Sequence, residues 1–337
     1  MANLSTTYMG IKLKNPVIVG ANNMVKNLDT IKKWEADGAA AVVYKSLFEE
    51  QVELESLELE ESMDEYSERH AEMISLFPDI EHAGPKEHLV NLRKAKESLL
   101  IPVIGSLNAV WNETWSEYAK LMEETGVDAL ELNFYAIPTK FDMSPDEIEK
   151  QQIEILKLVK SVVKIPVSVK LSPFYTSPLN FISSLDKTGA DALVIFNRFF
   201  QPDINIYNET HFFPYDLSSP SDSKLTLRFA GLLHDNIEAD ICANGGLYTG
   251  EDIIKVILAG ADVVQIVSTL YKNQNQIIGN ILNEIKGWME KNGYQTINDF
   301  KGKMSKNKLK DPFAYKRAQY IDILMKSDSI FKKYPMV

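Results

Sequence analysis

The chain has 337 residues, 45% of them apolar and 25% charged, with a formal net charge of -11. That length supports a large core and fits one barrel with insertions or two smaller domains, while the negative balance opposes nucleic acid or an anionic membrane as partner and leaves small molecules. Cys242 is the single cysteine, which excludes an internal disulfide. With no leader and no apolar run long enough to span a bilayer, the cytoplasm is the expected compartment.

Short runs rich in Val and Ile recur along the sequence, each too short and too β-branched to favour a helix, and they read as buried parallel strands. In chain order they are Pro16 to Ala21, Ala40 to Ser46, Pro102 to Asn108, Ala129 to Tyr135, Pro166 to Ser172, Ala192 to Arg198, Ala239 to Gly246 and Val263 to Thr269. The first, third and fifth open with NPVIV, IPVIG and IPVSV. The second, fourth, sixth and eighth follow DGAAAVVY, TGVDALEL, TGADALVI and AGADVVQI, in which a glycine ends a helix just before the strand. Two alternating ways into a strand point to a ring, and the expected fold is an α/β (β/α)8 TIM barrel; an open doubly wound sheet is the alternative. Helix starts are legible at Ser144-Pro145-Asp146-Glu147, Ser177-Pro178 and Thr249-Gly250-Glu251-Asp252. The stretches 47–101 and 199–238 are too long for bare crossovers. They are expected to be insertions after strands two and six, on the carboxyl face where barrels build sites and lids. The whole chain is expected to be one domain, with a barrel core over about 13–270 and a helical C-terminal segment over 271–337.

Polar residues at the carboxyl ends of these strands carry the chemistry. Lys45 and Lys170 each place an ammonium at the mouth of an otherwise buried strand. Alone, either is compatible with a side chain reaching to the rim; two on separate strands suggest an anionic or electron-rich ligand between them. Asn133 and Asn197 end strands four and six, where they either read a heteroaromatic ring or carboxylate or satisfy loop backbone. Strand seven ends in Asn244-Gly245-Gly246 and strand eight in Ser268-Thr269, the usual barrel position for a phosphate, with glycine N–H groups and two hydroxyls as donors. Cys242, among apolar residues, reads as a buried small hydrophobe. His70, His82 and His88 lack metal spacing, and no metal is expected. The acidic run over 53–61 reads as a solvated helix face.

Over Leu13 to Leu270 the sequence resembles the dihydroorotate dehydrogenases, flavin mononucleotide (FMN) barrels of pyrimidine synthesis. The resemblance rests on KLKNPVIVGA, Lys45-Ser46, ELN at Glu131 to Asn133, VKLSP at Val169 to Pro173, Asn197, and Asn-Gly-Gly followed by Gly-Ala-Asp. It implies that Ala21, Ser46, Asn133, Lys170, Gly245, Gly246, Ser268 and Thr269 contact FMN, the last four around its phosphate. It also implies that Lys45, Asn133 and Asn197 face the substrate. A soluble homodimer is implied as well.

In that family a cysteine or serine three residues after the asparagine of strand four removes a proton while a hydride passes to flavin N5. Ala136 occupies that position here, and Pro138 stands where an asparagine would bind the substrate ring. Tyr135 and Tyr175 are the alternative bases. Besides dihydroorotate oxidation, the residues leave open a flavoprotein acting on a different enone-like substrate and a flavin-binding protein without turnover. No cysteine cluster on this chain holds an iron–sulfur centre, and the segment after 270, with its basic KGKMSKNKLK, is expected to be a cover.

Overall fold

The computed structural model describes residues 2–51, 85–109, 112–139, 141–273 and 276–326. The acidic run over 53–61, His70 and His82 therefore lie outside the described residues. An N-terminal hairpin, β1 (Thr6–Tyr8) and β2 (Ile11–Leu13), precedes β3 (Val17–Val19), α1 (Leu28–Asp37), β4 (Ala41–Val43) and a short β5 (Leu47–Phe48). The chain continues through α2 (Pro85–Ser98), β6 (Val103–Asn108), α3 (Asn112–Glu123), β7 (Ala129–Asn133), α4 (Pro145–Val162), β8 (Val167–Leu171), α5 (Pro178–Thr188) and β9 (Ala192–Ile195). A second hairpin follows, β10 (Asp203–Asn205) and β11 (Thr210–Phe212), then α6 (Ser223–Leu233), β12 (Asp240–Asn244), α7 (Gly250–Ala259), β13 (Val263–Ile266), α8 (Ser268–Lys272), α9 (Ile277–Lys291) and α10 (Arg317–Met325).

All eight expected strands are present and parallel, in the order β4-β3-β13-β12-β9-β8-β7-β6, and pairing of Val42 with Val103 joins β4 to β6 and closes the ring. The fold is a (β/α)8 TIM barrel. The connection after β9 carries the second hairpin. Among the described residues no helix is long and apolar enough to cross a membrane.

The alternating strand openings have a physical cause. Before the odd strands β6, β8 and β12, backbone N–H groups donate to an acid on an earlier helix: Leu100 and Ile101 to Glu35, Lys164 and Ile165 to Glu123, Glu238 and Ala239 to Asp186. Before the even strands, the aspartate of each Gly-x-Asp loop accepts from the neighbouring odd strand. Asp128 takes Val103 N–H at 2.8 Å, Asp191 takes Val167 N–H at 2.7 Å and Asp262 takes Ile241 N–H at 2.7 Å. Lys96, Lys160 and Lys301 pair with the same three aspartates. Strand-start donors that a sheet leaves unpaired are thus satisfied twice in three of the four βαβα units.

Strand alternation sorts side chains between an outer layer against the helices and an inner column. The lower column is apolar, with Ile18, Val43, Ile104, Ala129, Val194, Cys242 and Val263 buried together and the N-terminal hairpin plugging the bottom with Tyr8 and Met9. Cys242 is a buried core residue, as its sequence surroundings suggest. Two residues further along the strands, the same inward direction delivers polar groups, Glu131 after Ala129 and Gln265 after Val263. The capping box at Ser144 opens α4, and Thr249 opens α7 with Asp252 as its reciprocal partner. On the outside, α9 is tied to α1 by Ile278 and Gly279 N–H groups on Asp37, and to α7 by Gly250 N–H on Glu284.

Candidate active site

The upper column opens into a cleft of about 720 Å³ at the carboxyl mouth of the barrel. Ala21, Lys45, Ser46, Asn133, Lys170 and Asn197 all line it, so closure of the ring brings six of the sequence-selected residues to one place. Asn197 Nδ2 donates to Asn133 Oδ1 at 2.8 Å, which fixes both amides across the β7 and β9 ends. Ser46 and Ser106 share a hydrogen bond of 2.7 Å at the wall.

Beneath the cleft lies a buried polar triad. Lys170 Nζ donates to Gln265 Oε1 at 3.2 Å and lies 3.7 Å from Glu131 Oε1, while Gln265 Nε2 donates to the other oxygen of Glu131. Glu131 Oε1 itself is buried without a hydrogen-bond partner. An ammonium so deeply enclosed requires a counter-charge, and Glu131 supplies it from the neighbouring strand β7.

A second compartment of about 110 Å³ continues from the first, sharing Ala21, Lys170, Asn197, Arg198, Phe200 and Tyr215 with it and ending on Gly245, Gly246, Ser268 and Thr269. Gly245 and Gly246 have φ of 94° and 70°. A Cβ on Gly246 would stand 2.5 Å from Ser219 O and 2.6 Å from Ser223 N, so only glycine lets the backbone turn so close to the insertion loop. Ser268 begins α8. Its hydroxyl oxygen accepts from Ser218 N–H at 3.0 Å and from the Ser218 hydroxyl at 2.8 Å. The Thr269 hydroxyl donates to the Leu247 carbonyl, so Thr269 offers the compartment its backbone rather than its side chain. A long cavity with a polar floor, cations along its length and a glycine-lined end fits a phosphate-bearing heteroaromatic cofactor.

Several lining residues escaped the sequence reading. Asn108 follows Ile104 and Ser106 on the inward face of β6, so alternation alone would have found it. Arg198 lines both compartments, with Nη1 on Asp222 at 3.0 Å and a buried Nε that has no hydrogen-bond partner. Phe200 and Tyr215 from the insertion after β9 form an aromatic wall, their rings 5.2 Å apart. Ser218 holds the glycine-lined end together: its hydroxyl accepts from Gly246 N–H at 3.2 Å, and its carbonyl accepts from Lys272 at 3.1 Å and from the Tyr248 hydroxyl. No periodicity marks a loop residue, and the serine-rich DLSSPSDS was the available signal.

Two of the positions singled out in the sequence lie outside the cleft lining. Ala136, at the position of the family base, lines a separate side cavity with Pro138 and is absent from the cleft wall. Tyr175 also lines that cavity; its hydroxyl donates to Gln152 at 2.8 Å, and burial pushes it well above the usual phenol range. Tyr135 does reach the cleft, where its oxygen accepts from Phe200 N–H at 3.1 Å. Among the described residues lining the cleft there is no carboxylate, histidine or cysteine; Lys26, Lys45, Lys170 and Arg198 make it cationic. His88 stands behind the wall, 5.5 Å from the Tyr44 ring, and is pushed down to about 4 by burial and by the charges of Lys45 and Lys26.

The family profile described as dihydroorotate dehydrogenase matches residues 77–289. The chain is 30% identical over 311 residues to a Thermoplasma volcanium protein named dihydroorotate dehydrogenase B (NAD(+)), catalytic subunit, covering 90% of this chain and 98% of the relative. A protein of the same name from Thermoplasma acidophilum is 30% identical over 315 residues, with 90% and 99% covered. Dihydroorotate dehydrogenase A (fumarate) of Lactobacillus helveticus is 26% identical over 231 residues, with 66% and 73% covered. With a family profile matching more than half of the chain and relatives 30% identical over nine-tenths of it, the chain belongs to the dihydroorotate dehydrogenase family.

Proposed function

We propose that the protein is an FMN-dependent oxidoreductase of the dihydroorotate dehydrogenase type, oxidising dihydroorotate or a related dihydropyrimidine in pyrimidine synthesis. The observation that carries this reading is the continuous cavity running from Asn133, Asn197 and Lys170 to Gly245, Gly246 and Ser268. Bound there, FMN supplies a hydride acceptor at N5. Lys170 would set a positive charge against the ring and favour its reduced, anionic form. The glycine N–H groups and Ser268 would hold the phosphate, with Ser218 and Arg198 beside them. Lys45 would face the substrate's anionic group, and the joined amides of Asn133 and Asn197 would read its ring. A homodimer in the cytoplasm completes the reading, and sedimentation of the purified protein tests the assembly.

A second reading is favoured by the cleft wall itself. Tyr135, Lys45 and the asparagines are donors, and no described group there is suited to remove a carbon-bound proton. Donors of this kind suit the reverse chemistry, delivery of a proton to an unsaturated carbonyl compound as it is reduced.

An anaerobic titration followed by the visible flavin band separates the two. Bleaching by dihydroorotate supports the first reading. A band unmoved by dihydroorotate, but restored from the photoreduced state by 2-cyclohexen-1-one, supports the second. Absence of any flavin band after FMN is added overturns both.

A further inference from the structure

Behind the loop that follows β7 lies the side cavity, about 410 Å³ in volume, which the family chemistry leaves without a role. Its walls are Ala136, Ile137, Pro138, Met143, Phe174 and Phe199. Ile137 and Phe174 remain 58% and 68% exposed. Large apolar side chains held in water around a concavity of small-molecule size mark a binding site rather than a packing fault.

The cavity abuts the main cleft through a partition two rings thick. Tyr135 faces the cleft and Phe199 faces the cavity, stacked at 4.7 Å with 14° between their planes, and Phe174 meets Phe199 edge-on at 5.3 Å. Both positions at which this chain departs from the family's polar residues, Ala136 and Pro138, line the cavity, so the departure replaces proton chemistry by apolar surface. Glu149, its carboxyl shifted upward by partial burial and by the charge of Asp146, also lines the cavity.

We propose that this cavity receives an apolar aryl or alicyclic substituent of the substrate, whose unsaturated carbonyl ring occupies the main cleft. The substrate is then larger than a bare dihydropyrimidine. This rests on the second reading above for the main cleft; the cavity's capacity for an apolar ring does not.

The test has two arms. In the first, the neutral fluorophore N-phenyl-1-naphthylamine is titrated into the protein before and after FMN loading. Saturable binding is expected in both, weakened at least about tenfold by Ile148→Trp, which fills the cavity from a further lining position on α4, with FMN content unchanged. Met143→Trp, at a partly exposed lining position, gives the same readout should the first variant fold poorly. Binding that does not saturate, or that neither variant weakens, overturns the site. In the second, 2-cyclohexen-1-one and 3-phenyl-2-cyclohexen-1-one are compared by their perturbation of the flavin band. The phenyl compound is expected to bind at least about tenfold more tightly to the unmodified protein, with the preference lost in Ile148→Trp; equal affinities overturn the substituent assignment. Failure of FMN to load overturns the reading of the main cleft, and the fluorophore titration then decides the cavity alone.

Discussion

The ammonium of Lys170 lies 3.7 Å from the carboxylate of Glu131, with the two residues only 5% and 1% exposed. Removing one partner strands the other's charge in the barrel, so Lys170→Ala or Glu131→Ala should each cost roughly 3–5 kcal/mol. The double variant Lys170→Met, Glu131→Leu should regain part of that stability, less the cost of the Gln265 amide it leaves unpaired, while retaining flavin poorly, because the charge beside the ring is gone. Urea unfolding and FMN content of the purified proteins measure the two effects separately. Undiminished flavin retention in the double variant would remove Lys170 from the cofactor site.

Gly246→Ala tests the phosphate end. The added Cβ meets backbone atoms of Ser219 and Ser223 at 2.5 and 2.6 Å, and neither yields without moving the insertion loop. FMN affinity should fall by at least about tenfold, read by flavin fluorescence on dilution. Unchanged affinity would place the phosphate elsewhere.

Ala136→Cys should leave dihydroorotate turnover unchanged, because position 136 faces the side cavity and is not part of the cleft wall. A correctly placed general base is worth about 10²–10⁴-fold. A rise of that size in stopped-flow flavin reduction would show that the new thiol reaches the cleft.

His88 should make folding acid-sensitive. Its native pKa is pushed down from 6.5 to about 4, so between these values the unfolded chain binds more protons than the native one. Stability from this group is therefore present above about 6.5 and lost as the pH falls toward 4, up to roughly 3 kcal/mol. Asp240, raised from 3.8 to about 6 by burial and by Asp262, tilts the other way, since its native form holds the extra proton and stability falls as pH rises through that window. Subtracting the urea stability of His88→Phe from that of the unmodified protein across pH 4–7 isolates the histidine. A flat difference would contradict its buried neutral state.

The sequence by itself determined the barrel. Val/Ile runs of strand length, the alternating Pro and Gly-Asp approaches, and the inward period of two announce eight strands and the side on which Lys45, Asn133 and Lys170 emerge, because alternation is a local property of extended chain. It also marked Gly245 and Gly246, whose backbone demands are local. What only the tertiary structure decided lies in the loops and in pairs far apart in the chain. The joining of Asn133 to Asn197, the counter-charge of Glu131 for Lys170 and the reach of Ser218 to Gly246 and Ser268 all depend on ring closure, which no local pattern encodes. Beyond Asn133 the chain leaves the strand, its period of two lapses, and side-chain direction is set by packing against α4 and the loop after β8. Hence Ala136 and Tyr175, adjacent to the site in sequence pattern, face a different cavity.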